Sequence, residues 1–337
     1  MLNQIDIRNF GPLTDLHWAG LGRINLIIGP NDSGKTFLLK ALYCAVRTLE
    51  TFQRGMEQRS AADILAEKLY WTFQPDKIGD LVTKGAEEPL SFEMQVDQRV
   101  FQFSFGRDTT KQIGSLDNAA LPRESNSIFL PAKEVLSLHD IILKSREQDQ
   151  VFGFDDTYYD LARALRQAPR GGKNFSEFAQ SRRDLEALLG GKVEYEEAAK
   201  RWRFRKGNQR FPIGLTAEGI KKIAILDTLL GNRYLDTGSV IFVDEPEAAL
   251  HPAALHRLMM IIARLAERGL QFFLASHSYF VVKQLFLLAQ RGQCPLPILM
   301  ARDAGWQAAD LCDGIPPNGI VEEAVRLYQE EVDLALA

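Results

Sequence analysis

The segment Gly29-Pro30-Asn31-Asp32-Ser33-Gly34-Lys35-Thr36 sets two glycines, a lysine and a hydroxyl at the spacing G-x-x-x-x-G-K-[ST]. Glycines at the first and sixth positions let successive backbone N–H groups turn inward and form a cradle for an anion. Lys35 is placed to reach the β- and γ-phosphates of a bound triphosphate, and the Thr36 hydroxyl to bind Mg²⁺. The expected ligand contacts run from Gly29 through Phe37, where the following helix adds the positive end of its dipole. A second chemical element, Val240-Ile241-Phe242-Val243-Asp244-Glu245, ends four apolar residues in adjacent carboxylates. Asp244 then sits where it can hold the metal through water, and Glu245 where it can orient or deprotonate an attacking water. A third, Phe272-Phe273-Leu274-Ala275-Ser276-His277-Ser278, delivers His277 to the end of another apolar run, within reach of a γ-phosphate. Each element has a plainer reading: a chance glycine turn, a strand ending in solvated acids, a structural histidine. Their joint presence on apolar strands argues for the chemistry.

The elements that must position these groups are legible from periodicity. Ile24 to Ile28 is an apolar run of strand length, interrupted only by Asn25, as expected for a strand buried on both faces. The spacing predicts a helix from about Gly34 to Leu49 with Leu38, Leu39, Leu42 and Val46 inward. Short strands are expected at Leu2–Ile7, at Leu13–Trp18 after Gly11-Pro12, and at Ile128–Leu130. A hairpin is expected from Phe92–Val96 and Val100–Phe105 around Asp97-Gln98. Residues 51–85 read as helical and irregular, and Glu134 to Leu189 as a polar helical region. Val193 to Phe211 returns to strand-like alternation. A helix is expected at Ala217–Leu230, another from Pro252 to Arg268 stopped by Gly269, then core strands at Leu270–Ala275 and Ile298–Ala301. Strands alternating with helices around apolar β segments give an α/β sheet with parallel core strands.

Composition excludes several other classes. The chain has 337 residues with 46% hydrophobic and 25% charged side chains and no biased tract, so it is globular rather than fibrous or disordered. A net charge of −4 disfavours coating of nucleic acid by bulk electrostatics. Three scattered cysteines, Cys44, Cys294 and Cys312, provide neither a zinc site nor a disulfide framework and fit a reducing, cytoplasmic setting. Phe272 to Ala289 is the most membrane-like stretch, but Ser276, His277, Ser278, Lys283 and Gln284 interrupt it, and it reads as strand, turn and helix.

With these residues in view, the sequence resembles an ABC-type ATPase of the SMC/RecF-like branch, including stand-alone AAA family ATPases and OLD-type ATPase heads. The likeness is carried by Ile5-Asp6-Ile7-Arg8-Asn9-Phe10-Gly11-Pro12, Ile24 to Lys40, Asp244-Glu245-Pro246-Glu247 with Leu250-His251-Pro252, and Ser276-His277-Ser278. It implies a P-loop NTPase with an ABC-type head, a mixed β sheet with flanking helices, and an inserted helical lobe. The implied division is residues 1–135 as the first part of the head, with a helical excursion at 51–85. Residues 136–212 are then a helical lobe and basic hairpin, and residues 213–337 the second part of the head. It further implies that two heads close on ATP and Mg²⁺, with Lys35, Glu245 and the switch residue His277 catalytic and Thr36 and Asp244 on the metal. A signature segment would meet the partner's γ-phosphate, and the matching stretch is Leu215-Thr216-Ala217-Glu218-Gly219-Ile220-Lys221-Lys222, with Ala217, Glu218 and Gly219 as ligand contacts. Such relatives usually carry serine at the position of Ala217, so the hydroxyl contact is missing unless Thr216 supplies it. Pro131-Ala132-Lys133-Glu134 is the expected place of the Q-loop, although no glutamine stands there.

Other features bear on partners. Lys200-Arg201-Trp202-Arg203-Phe204-Arg205-Lys206 alternates base and aromatic, which on a strand puts Arg201, Arg203 and Arg205 on one face. That face is either a ribbon for nucleic-acid phosphates or the solvated side of a hairpin with an aromatic core face, and the second reading is preferred. Arg163, Arg166, Arg170, Lys173, Arg182 and Arg183 enlarge the basic population. The acids Asp303, Asp310 and Asp313 lack a metal-site arrangement, so any effector driven by this ATPase is expected to be a separate chain. The amphipathic segment Ile320–Leu336 carries Val321, Val325, Tyr328 and Val332 as one stripe, expected to pack on its own domain. Tyr70 and Trp71 are expected in the core. The functional expectation is an ATP-hydrolysing, dimerising head that acts as a switch or loader in DNA maintenance or antiviral defence. The alternative is a slowly hydrolysing, ATP-dependent assembly scaffold; a transporter ATPase is disfavoured because no surface for coupling to a membrane partner is evident.

Overall fold

A computed structural model describes residues 1–167, 178–302 and 305–336. Arg170, Lys173 and Asp303, named above, lie outside the described residues. The chain begins β1 (Leu2–Phe10), β2 (Leu13–Ala19), β3 (Ile24–Ile28), α1 (Lys35–Thr51) and α2 (Ala61–Phe73). It continues β4 (Leu90–Val96), β5 (Arg99–Phe105), β6 (Ser115–Asn118), β7 (Ile128–Leu130), α3 (His139–Glu147), α4 (Asp156–Leu165) and α5 (Ala179–Leu189). A small hairpin sheet follows, β8 (Lys192–Glu196), β9 (Arg201–Lys206) and β10 (Gln209–Pro212), then α6 (Glu218–Gly231), β11 (Val240–Asp244) and α7 (Pro252–Glu267). The last elements are β12 (Gln271–Ser276), α8 (Tyr279–Gly292), β13 (Pro297–Arg302), β14 (Gly305–Asp310) and α9 (Gly319–Leu336).

Two large sheets form. One is antiparallel in the order β2-β1-β4-β5-β6; the other runs β14-β13-β3-β12-β11-β7, parallel except for the edge strand β14. Every residue of β3, β11 and β12 is buried, which explains their mainly apolar character and the absence of alternation; Asn25, the polar residue inside β3, donates to the carbonyl oxygens of Gly22 and Phe272. Successive side chains of these strands go to opposite layers. Leu26, Ile28, Ile241, Val243, Phe272 and Leu274 pack with α6, α7 and α8, whereas Ile27, Phe242, Phe273 and Ala275 pack with α1 and the antiparallel sheet.

The helix α1 is therefore covered on nearly all sides, and more of it is buried than the predicted stripe: Tyr43, Cys44, Thr48 and Glu50 are enclosed as well. Its polar members are satisfied by an ionic cluster with α2 and α4. The Tyr43 hydroxyl donates to Asp160 Oδ2 at 2.6 Å, Lys68 Nζ donates to Asp160 Oδ2 and Asp156 Oδ2 at 2.8 Å each, and Arg47 pairs with Glu50 at 2.7 Å. Burial alone would raise the Asp160 carboxyl, but Lys68 and Arg47 hold it below the ordinary aspartate value. Asp160→Ala leaves Tyr43 and Lys68 short of a partner in a dry environment. The expected loss is about 3–5 kcal/mol, read as a fall in the urea midpoint; a midpoint unchanged from the parent would contradict this account of α1.

Several sequence expectations are corrected. Tyr70 and Trp71 are half-buried rather than core: they cluster with Phe152, and the Arg146 guanidinium lies 3.3 Å from the Trp71 ring centroid. Beyond Val321 the α9 stripe does not pack on its own domain, and no residue of α9 is fully buried. Ile320 and Val321 touch the core, whereas Val325, Tyr328 and Val332 are exposed. β6 and β14, both short on apolar residues, join sheet edges that the pattern did not signal. Among the described residues, no helix is long and apolar enough to cross a membrane; Phe272 to Ala289 forms β12, a turn and α8.

Candidate functional site

The parallel strands β3, β12 and β11 lie side by side, so the three chemical segments that follow them emerge at one edge of the sheet. That edge is the carboxyl end, where ligands of such sheets collect. The loop 29–36 leaves β3 and enters α1 through Gly34, whose φ of +92° is a left-handed backbone that a side chain would strain. Pro30, Asn31 and Asp32 are exposed, Ser33 half-buried. Lys35 turns back over the loop, donating to the carbonyl oxygens of Gly29 at 2.9 Å and Pro30 at 2.6 Å. Burial holds its ammonium below the ordinary lysine value, against the opposing pull of Asp244, Glu245 and Glu247. The Phe37 ring packs edge-on to Phe10 with centroids 5.1 Å apart and against Phe73, so this residue has only its backbone N–H for a ligand.

The loop meets β11 through Thr36, whose hydroxyl lies 3.1 and 3.0 Å from the two carboxylate oxygens of Asp244. Burial pushes the Asp244 carboxyl above its ordinary value, and the Thr36 hydrogen bond opposes this. A hydroxyl and a buried carboxylate held together, beside the loop 29–36, suit a hard cation completed by water and phosphate oxygens. The donor set therefore fits Mg²⁺, which Thr36 and Asp244 could hold.

Glu245 is half-buried beside this pair, and His277 Nδ1 lies 3.5 Å from Glu245 Oε1 and 3.8 Å from Glu247 Oε1. Glu247 anchors the turn before His277: its Oε1 accepts from the Ser276 hydroxyl at 2.8 Å and from the His277 N–H at 3.2 Å. His251 takes a different part, capping α7 by accepting from Ala253 N–H at 3.2 Å ahead of Pro252.

The signature stretch lies apart from the loop. Ala217 is the N-cap of α6, Glu218 is exposed, and Gly219 lies so close to the turn after β11 that a Cβ there would sit 2.6 Å from the Ala249 carbonyl. The Thr216 hydroxyl is buried and has no hydrogen-bond partner among the described residues, so it does not replace the missing serine at the surface. Pro131 to Glu134 line a cleft of about 270 Å³ with Glu218, Lys221, Lys222, Ala248 and Ala249.

Two residues escaped the sequence reading. Glu247 was quoted in a motif but given no role. Lys222 reaches under the metal-side carboxylates, and burial brings its ammonium down to about 8. The available signal was its spacing: Lys222 lies in register with Ile225, Leu226 and Leu229, a lysine set into an apolar stripe, which demands a partner.

On the basic hairpin, Trp202 and Phe204 face the core as expected. The opposite face is compensated: Arg203 and Arg201 pair with Glu196 at 2.5 and 3.5 Å, and Arg205 with Glu194 at 2.8 Å. Lys200 precedes this strand and Lys206 ends it, both exposed.

A parallel sheet that gathers a phosphate loop, a metal-side aspartate and a following glutamate at one edge defines a P-loop NTPase head of ABC type. The chain belongs to the family described as "AAA domain, putative AbiEii toxin, Type IV TA system", whose model matches residues 24–283, more than three quarters of its length. Among solved structures, the SmcHead bound to the C-winged helix domain of ScpA matches with a TM-score of 0.52 at 13% identity, covering 92% of this chain and 97% of that one. The SMC head domain from Thermotoga maritima matches at 0.48 and 14%, covering 92% and 98%. The Smc head domain with an extended coiled coil from Pyrococcus furiosus matches at 0.49 and 12%, covering 98% of each chain. No curated protein matches the sequence.

Proposed function

We propose that this chain binds Mg²⁺-ATP at the carboxyl edge of its parallel sheet, hydrolyses it, and works as a dimer whose interface closes on nucleotide. The observation that carries this reading is the contact of Thr36 with Asp244, which joins the phosphate loop to the carboxylate strand and leaves Glu245 and His277 beside it. The loop N–H groups and Lys35 bind the phosphates. Thr36 and Asp244 would hold Mg²⁺, which would supply charge neutralisation to the phosphates. Glu245 orients a water and takes its proton, while His277, beside Glu245, donates to the γ-phosphate oxygens. Ala217, Glu218 and Gly219, at the N-terminus of α6, present backbone N–H groups to the nucleotide of a second copy.

In this reading residues 1–135 and 213–337 form the head and residues 136–212 its inserted lobe. The biological role is switching or loading in DNA maintenance or antiviral defence, with a separate effector chain; the toxin–antitoxin wording of the family's description supports the defence branch. The compensated arginines of β9 lend no support to a nucleic-acid ribbon through Lys200, Arg201, Arg203, Arg205 and Lys206.

A second reading, an ATP-dependent scaffold that turns over slowly, is favoured by Ala217 together with the buried hydroxyl of Thr216, which leaves the start of the signature without an exposed side-chain hydroxyl. Phosphate release and light scattering on the purified chain with Mg²⁺-ATP separate the two. Sustained release with ATP-dependent dimers supports the hydrolysing switch, and dimers with almost no release support the scaffold. Neither dimers nor release would overturn both.

A further inference from the structure

Lys222 sits on the second turn of α6, behind the carboxylates rather than among the expected phosphate contacts. Its Nζ donates to the carbonyl oxygen of Asp244 at 3.2 Å and to that of Glu245. Glu245 needs such support. Its φ of +48° lies in the left-handed region, which costs a non-glycine residue on the order of 1 kcal/mol or more and persists only where the surroundings over-determine it. Here the Glu245 N–H is fixed by the Ala275 carbonyl of β12 at 2.9 Å, and its own carbonyl accepts from Ala248 N–H at 3.0 Å as well as from Lys222. The first two bonds tie the turn to its neighbours in the sheet and loop. The third ties it to α6, the helix that opens with Ala217. The adjacent Lys221 points elsewhere, to Ser137 and Glu218 at 3.2 Å, so the two lysines do not substitute for one another.

We propose that Lys222 is a positioning residue for hydrolysis: by clamping the peptide carbonyls of Asp244 and Glu245 it holds the strained turn that aims the Glu245 carboxylate at the attacking water. The clamp acts through the backbone and touches neither nucleotide nor metal. It also joins the signature helix of a subunit to that subunit's own water-activating residue, a link independent of any contact made across a dimer. The inference rests on the reading of Glu245 as the residue that activates water.

Three measurements on the full chain test it: steady-state hydrolysis, binding of labelled ATP, and amide hydrogen exchange over 244–250. Lys222→Met is expected to lower kcat about 10- to 100-fold, the usual scale for a misplaced catalytic group, with ATP affinity within about threefold of the parent. Exchange at 245–249 should quicken while the loop 29–36 is unaffected. Lys222→Arg, which keeps a charged donor, should recover most of the rate. Unchanged kcat and exchange in Lys222→Met would overturn the clamp. So would a loss shared equally by affinity and rate with no recovery by arginine, which would make Lys222 a packing residue of α6. Absence of hydrolysis by the parent would instead sink the hydrolytic reading. The exchange of 245–249 in Lys222→Met would then still decide the clamp.

Discussion

Glu245→Gln is expected to reduce phosphate release by roughly 100- to 10,000-fold while ATP still binds. A carboxamide has nearly the shape of the carboxylate but cannot accept a proton from water. The variant should thus retain the turn, since the bonds that fix residue 245 are those of its backbone N–H and carbonyl. Asp244 and Thr36 are untouched, so the pair proposed to hold the metal stays in place. With binding preserved and hydrolysis blocked, the closed form has no exit, and dimers should accumulate with ATP to a greater extent than in the parent. Phosphate release and light scattering on the same samples check both halves of this expectation. A variant that turns over like the parent would remove Glu245 from the mechanism and leave His277 or a solvent base to be sought.

The parts of this site that were legible in the sequence are those fixed by local chemistry. The string Gly29 to Thr36 carries its own backbone and charge requirements, and the apolar runs of β3, β11 and β12 announce strands buried on both faces. Asp244 and Glu245 could be set at a strand end because the apolar run stops there. What stayed hidden depends on partners distant in the chain. Nothing local in Lys222 says that it meets the carbonyls of residues 244 and 245, and only its place in an apolar stripe hints at a buried role. The alternation of Arg201, Arg203 and Arg205 was readable as a strand. Its neutralisation follows from the antiparallel register of β8 on β9, which sets Glu196 opposite Arg201 and Glu194 opposite Arg203, with Arg203 and Arg205 reaching diagonally to Glu196 and Glu194. The stripe on α9 has the spacing of a packed helix yet stays in solvent, because amphipathicity shows that a face could be covered and not that it is. Likewise α1 shows one apolar stripe in sequence but is enclosed by two sheets, its polar residues being admitted through Asp160, Lys68 and Arg47.

The central claim is that residues 29–36 and 244–245 form a single triphosphate site, and Lys35 tests it most directly. Its ammonium is half-buried inside the arc of the loop, where burial already disfavours the charge and a phosphate would restore its partner. Its bonds in the chain are to two carbonyls of the same loop, so truncation should leave the sheets and helices intact. Equilibrium binding of labelled Mg²⁺-ATP to Lys35→Ala is expected to be weaker by about 100-fold or more, the worth of one or two charge-assisted hydrogen bonds, with a melting temperature close to the parent's. Equal affinity in the folded variant and the parent would contradict the site itself.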